Sequence, residues 1–208
     1  GPKPGRRLVA RPKDLLWRWH IAKDTEPAMQ VEIDIDDPRW GALGLEALVE
    51  RAGVATLNHL GYDPVGFEIS VLACDDARIR GLNAQFRAKD SATNVLSWPT
   101  WDLSAETPGA LPEPAETGTA DDPEALGDMA LAYETCQREA LEQHKAPTDH
   151  VTHLIVHSVL HLLGYDHETD EDAVLMEETE RSVLAQLGVA DPYAADDSRV
   201  PLGAADLD

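Results

Sequence analysis

Gln30-Val-Glu-Ile-Asp-Ile35 alternates polar and apolar side chains, the period of a half-buried strand. The period then lengthens: Leu45, Leu48, Val49, Ala52 and Leu57 fall on one helical stripe between about Leu43 and Leu60, closed by Gly61. Phe67-Glu-Ile-Ser-Val-Leu72 reads as a second strand. Asp75 is placed to cap a helix on which Ile79, Leu82 and Phe86 share a face. Asn94 to Trp98 is a short strand stopped by Pro99, and 99–125, with five prolines and no period, is expected to be a long exposed loop. A strand resumes from Leu126 to Tyr133. Helices are expected over about 134–143, from Thr148 or Asp149 to Leu163, and from Thr169 or Asp170 to Leu187, the last with Ala173, Met176, Val183, Leu184 and Leu187 inward.

The order βαβαββααα predicts a single α+β domain: a four-stranded mixed sheet and about five helices, with the histidine-bearing helix packed near the sheet. A chain of 208 residues suits one such core. The domain is expected over 29–193. Residues 1–28, rich in Pro, Gly and Arg, read as an extension outside the fold, and the acidic, small-residue stretch 194–208 as a disordered tail.

Charge narrows the partners. There are 39 acidic against 17 basic residues, a net of −22, and seven of those 17 lie in the first 23 positions. Such a body is a poor candidate for broad phosphate-driven binding of DNA or RNA, so any nucleic-acid role must rest on a local basic site or on delivery by a partner. No apolar run reaches membrane-spanning length and no signal-peptide pattern is present, which makes a cytoplasmic protein the expectation. Cys74 and Cys136 read as reduced thiols.

Five of the eight histidines fall between 150 and 167, and three form His157-x-x-x-His161-x-x-Gly-x-x-His167. Positions i and i+4 stack on one helix face, so His157 and His161 can offer two imidazoles to one ion. Gly164 stands where a helix end needs a left-handed backbone, after which His167 can return as a third ligand. Three nitrogens leave a tetrahedral position open, as in catalytic zinc sites, and one zinc per chain is expected. Hydrogen-bonded core histidines would suit one such residue and not three at ligand spacing. His150 and His153, with no ligand spacing, are expected to support the site or face the helix surface.

The same ligand spacing occurs in metzincin proteases, which need a glutamate directly after the first histidine as general base. Here that position is Ser158, whose hydroxyl takes up no proton at neutral pH. A metalloprotease-like hydrolase is therefore disfavoured.

His157-Ser-Val-Leu-His161-Leu-Leu-Gly-Tyr-Asp-His167 resembles the signature of the YbeY family of bacterial endoribonucleases. Leu82-Asn-Ala-Gln-Phe-Arg-Ala-Lys-Asp-Ser-Ala-Thr-Asn-Val-Leu-Ser-Trp-Pro99 resembles the family's second block, with its arginine at Arg87. Leu126-Gly-Asp128 and Asp191-Pro-Tyr193 resemble two further blocks, so the likeness spans about 29–193. The chain departs from the pattern at Ser158 (usually Gly), Asn94 (usually Asp) and Trp98 (usually Phe). The loss of charge at Asn94 puts any electrostatic role of that side chain in doubt.

The resemblance implies a zinc-dependent, single-strand-specific endoribonuclease acting in 16S rRNA 3′-end maturation and ribosome quality control. Its implied partners are single-stranded rRNA, the small ribosomal subunit and assembly proteins. It implies His157, His161 and His167 as metal ligands and Arg87 as the group meeting charge on the scissile phosphate, a task that suits a guanidinium. Lys89 and Arg80 are candidates for added positive charge, Lys89 as a substrate contact. Asp166 and His153 are candidate bases, and Asp166 and Tyr165 are expected to orient or pack. The reading from another class is a metal-binding ribosome assembly factor without nuclease activity, which the net charge favours.

Overall fold

The computed structural model describes residues 28–194. The readings of 1–28 as an extension and of 194–208 as a tail fall almost wholly outside that range. Four strands, β1 (Gln30–Ile35), β2 (Phe67–Cys74), β3 (Val95–Pro99) and β4 (Glu124–Ala132), form one sheet in the order β1-β2-β4-β3. β1–β2 and β2–β4 are parallel pairs and β3–β4 is antiparallel, so the sheet is mixed. Among the described residues six α-helices accompany it: α1 (Arg39–Ala42), α2 (Leu45–His59), α3 (Asp76–Arg87), α4 (Tyr133–Glu142), α5 (Pro147–Leu162) and α6 (Asp170–Gln186).

The expected α+β class holds, with one helix more than the pattern suggested. The missed helix, α1, is a single turn of four residues, too short to show a period, and is held by the buried Trp40, whose indole N–H donates to the Cys74 carbonyl at 2.8 Å. β4 begins at Glu124 and not at Leu126, because pairing with Phe67 and Glu68 of β2 extends it past the apolar run.

Alternation along β2 sends Phe67, Ile69, Val71 and Ala73 into the main core with residues of α2, α5 and α6, and Leu72 and Cys74 to the other face against Ile79 and Leu82 of α3. A central strand covered on both faces reads as the continuous apolar run Val71-Leu-Ala-Cys74. α5 thus lies beneath the sheet, with its Ser158 hydroxyl 2.7 Å from that of Ser97 on the edge strand β3. Asp75 caps α3 by accepting from the Arg78 N–H at 2.8 Å, and Thr169 caps α6 by accepting from Asp172 N–H at 3.2 Å.

The long segment between β3 and β4 is largely exposed yet tied to the body. The Glu113 N–H bonds the Leu103 carbonyl, Ala115 N–H bonds the Tyr62 hydroxyl, and Gly109 N–H bonds Asp172. Its first residues turn inward, and Leu103 is buried.

Candidate metal centre and its cleft

Where α5 ends, the chain reverses through a paired set of bonds: Tyr165 N–H to the Leu160 carbonyl and Gly164 N–H to the His161 carbonyl, each 3.0 Å. Gly164 has φ +97°, and a Cβ there would lie 2.6 Å from the backbone of Leu103. Both the left-handed backbone and the close approach demand glycine. This turn brings His167 back to the last turn of α5. His157, His161 and His167 then offer ligand nitrogens that all lie within 4.8 Å of one another.

The proton positions on two of these rings follow from their partners. His157 Nδ1 faces a Glu180 carboxylate oxygen, and His161 Nδ1 faces the Tyr165 carbonyl oxygen at 2.8 Å. Both partners only accept, so each Nδ1 carries the proton and donates it. The two Nε2 atoms lie 3.0 Å apart, so with both rings neutral their lone pairs converge on the same space. Two facing lone pairs repel unless a shared proton or a metal cation joins them. Burial first, and then the unfavourable electrostatics of a third imidazolium beside the His157 and His167 rings, holds the His161 pKa down at about 4, so its ring is neutral and able to ligate near pH 7. These donors fit a metal ion of the kind that prefers imidazole, zinc among them.

Glu180 is the residue the sequence did not disclose. Its side chain is 0% exposed, and it accepts from His157, from His153 Nε2 at 3.0 Å and from the Tyr193 hydroxyl at 2.5 Å. Burial alone would raise its pKa, but the bonds from His153 and His157 outweigh it and hold the value down at about 2. The available signal was its register. Glu180 falls on the inward stripe of α6 with Met176, Val183 and Leu184, a carboxylate among buried apolar positions.

The histidines open into a cleft of about 500 Å³, also lined by Arg87, Asn94, Trp101 and Asp166. Arg87 stands at the end of α3, its Nη2 donating to the Ser97 carbonyl at 2.5 Å. Lys89 is exposed and is not among the residues lining the cleft, and Arg80 is paired with Asp90 at 2.7 Å on the surface. His153 is turned to Glu180 and not to the cleft. His150 bonds Glu139 at 2.7 Å, and Asn94 Nδ2 donates to both oxygens of that same carboxylate, at 3.1 and 3.0 Å. Burial opposes ionisation of Glu139, but the His150 and Asn94 bonds prevail and lower its pKa. Carboxylates share the cleft: Asp102, Asp166 and Glu168 also line it.

Burial raises the pKa of Cys74 to about 12 and also pushes that of Cys136 upward, so both buried thiols stay protonated. No helix among the described residues is long and apolar enough to cross a membrane.

A family model described as Endoribonuclease YbeY matches residues 34–188. The chain is 56% identical over 165 residues to Endoribonuclease YbeY of Jannaschia sp., covering 79% of this chain and 100% of that protein. It is 58% identical over 163 residues to the protein of the same name from Cereibacter sphaeroides, covering 78% and 98%. The solution structure of TM1509 from Thermotoga maritima aligns with a TM-score of 0.46 at 20% identity, over 83% of this chain and 99% of that one.

Proposed function

The chain belongs to the endoribonuclease YbeY family, and on that premise we propose that it cuts single-stranded RNA internally at the cleft formed by the three histidines and Arg87. The observation that carries the reading is the convergence of ligand nitrogens from His157, His161 and His167 within 4.8 Å of one another, a donor set that suits a cation. His157, His161 and His167 would hold one zinc ion. Bound there, zinc supplies Lewis acidity toward water and phosphoryl oxygen.

The remaining work falls to side chains of this chain. Arg87 presents a planar fork that matches two phosphate oxygens, and its tether to Ser97 keeps that fork at the cleft wall, where charge develops as the phosphodiester is cut. Asp166 lines the cleft beside His167 and accepts the Glu168 N–H at 3.1 Å, which orients its carboxylate at the mouth. Lys89, outside the cleft wall, is assigned to the flanking phosphates of the strand. The cleft's own acids and the net charge of −22 keep intrinsic RNA affinity low. Following what the resemblance to the family implies, we assign the protein to small-subunit rRNA in the cytoplasm, in 16S 3′-end maturation and ribosome quality control. The small subunit and its assembly proteins would present the single-stranded end.

The charge also favours a second reading, a metal-binding assembly factor that cuts nothing. The protease reading loses further ground. Ser158 is buried against Ser97, and Glu180, the carboxylate on His157, binds the ring nitrogen facing away from the ligand position. Incubating zinc-loaded protein with single-stranded RNA decides between enzyme and assembly factor. The proposal expects cleavage that vanishes in His161→Ala, and uncut RNA with wild-type protein would sustain the assembly-factor reading.

A further inference from the structure

We propose that Glu180 is the positioning residue of the metal centre: its carboxylate locks the His157 ring with the proton on Nδ1 and the Nε2 lone pair turned into the cleft. The proposal rests on reading the three histidines as ligands.

The three rings are not oriented in the same way. His161 is aligned by the backbone carbonyl of Tyr165, which no substitution at another position removes. His167 is delivered by the turn at Gly164. His157 alone is aligned by a side chain from another helix, 23 residues further along the chain. A wholly buried carboxylate is a costly way to fill space, because it loses its water and must be repaid by donors. Glu180 has three: one oxygen takes His157 Nδ1, while the other takes His153 Nε2 and the Tyr193 hydroxyl. An apolar side chain would complete the packing around Met176 and Val183 without any of these bonds. The charge is therefore directed at the ligand ring. His153 and Tyr193, whose rings meet edge to face at 5.8 Å, act as a brace that fixes the second oxygen so that the first cannot swing away. The segment after α6 thereby becomes part of the site's support through a single hydroxyl.

The assignment predicts a loss in metal binding that exceeds any loss in folding. Glu180→Gln keeps the volume and removes the charge. Its zinc affinity, measured by competition with a chromophoric chelator, should fall about 10–100-fold, the range seen when the carboxylate behind a ligating histidine is removed. Its cobalt(II) absorption bands should shift as the His157 ring loses its fixed orientation. In zinc-loaded wild-type protein, the His157 Nδ1 proton should appear as a slowly exchanging, strongly downfield NMR signal, absent from Glu180→Gln. A folded Glu180→Gln protein with wild-type zinc affinity and unchanged cobalt bands would overturn the proposal. So would the absence of that downfield proton in the wild type, a test that stands even where the variant does not fold. Wild-type protein that takes up neither zinc nor cobalt would overturn the ligand reading and this proposal with it.

Discussion

Arg87 Nη2 donates to the Ser97 carbonyl oxygen at 2.5 Å, and so an exposed cation on the end of α3 is tied to the edge strand bordering the histidine cleft. A guanidinium has five N–H donors in a rigid fork, so one tether orients the group and leaves donors for a phosphate. If this fork meets charge that develops in the transition state, Arg87→Ala should lower the rate of RNA cleavage about 10²–10³-fold, by analogy with the loss of an oxyanion donor. Arg87→Lys should also be impaired, because an ammonium cannot reproduce the fork. Metal content and melting temperature should stay near wild type in both. Normal cleavage by Arg87→Ala would show the assignment to be wrong.

Asn94 sits where a carboxylate would be resisted. Its amide donates to both oxygens of Glu139, a half-buried acid already bonded to His150. Asn94→Asp would turn that donor into a second negative charge, leaving Glu139 short of a partner at a cost of about 1–3 kcal/mol near neutral pH. Like charges raise a carboxylate pKa, and a raised folded value contributes stability below the unfolded pKa and loses it as pH rises. Urea unfolding should therefore show a deficit against wild type that is larger at neutral pH than in mild acid. An equal deficit at both would contradict the pairing.

Acid should unsettle the wild-type protein through Glu180 and Glu139, whose folded pKa values are both lowered, that of Glu180 to about 2. A depressed folded value contributes stability above the ordinary carboxylate pKa, and that contribution is lost as pH falls through the folded value. The urea midpoint should thus decline progressively as pH drops below about 4.5, the ordinary glutamate range. Glu180→Gln, which has no such carboxylate, should decline less steeply, and parallel curves for the two proteins would contradict the assignment.

Gly164→Ala tests the turn that returns His167. The substitution meets a positive φ and a contact of 2.6 Å with Leu103 backbone, which cannot move without disturbing the cleft wall. Stability should fall by about 1–3 kcal/mol from the strained backbone, and zinc affinity should fall with it. A variant of wild-type stability and affinity would mean that the turn tolerates a side chain.

The parts of the site legible in the sequence are those in which partners are near neighbours. His157, His161, Gly164 and His167 lie within one helix and its turn, so spacing alone placed them. The fold class was legible because alternation in β1 and β2 and the stripes of α2, α3 and α6 follow regular periods. Arg87 was marked only through resemblance, since an arginine at a helix end carries no signal of what it faces. Glu180 and the Asn94–Glu139–His150 set stayed hidden because each depends on partners 11 to 45 residues apart, joined only by tertiary packing. The inward turn of Trp101 and Leu103 was hidden for a different reason. A Pro-rich stretch without a period says nothing about which of its residues dock.

On the proposed function, the chain cuts RNA internally only when its three histidines hold a metal ion. That dependence is tested most directly with a circular single-stranded RNA, which offers no end to an exonuclease, incubated with protein stripped by chelation and with the same protein after zinc is restored. The stripped protein should leave the circle intact, the restored protein should open it to linear RNA, and zinc-treated His161→Ala should again leave it intact. A circle opened equally by stripped and restored protein, or left closed by both, would contradict the proposed function.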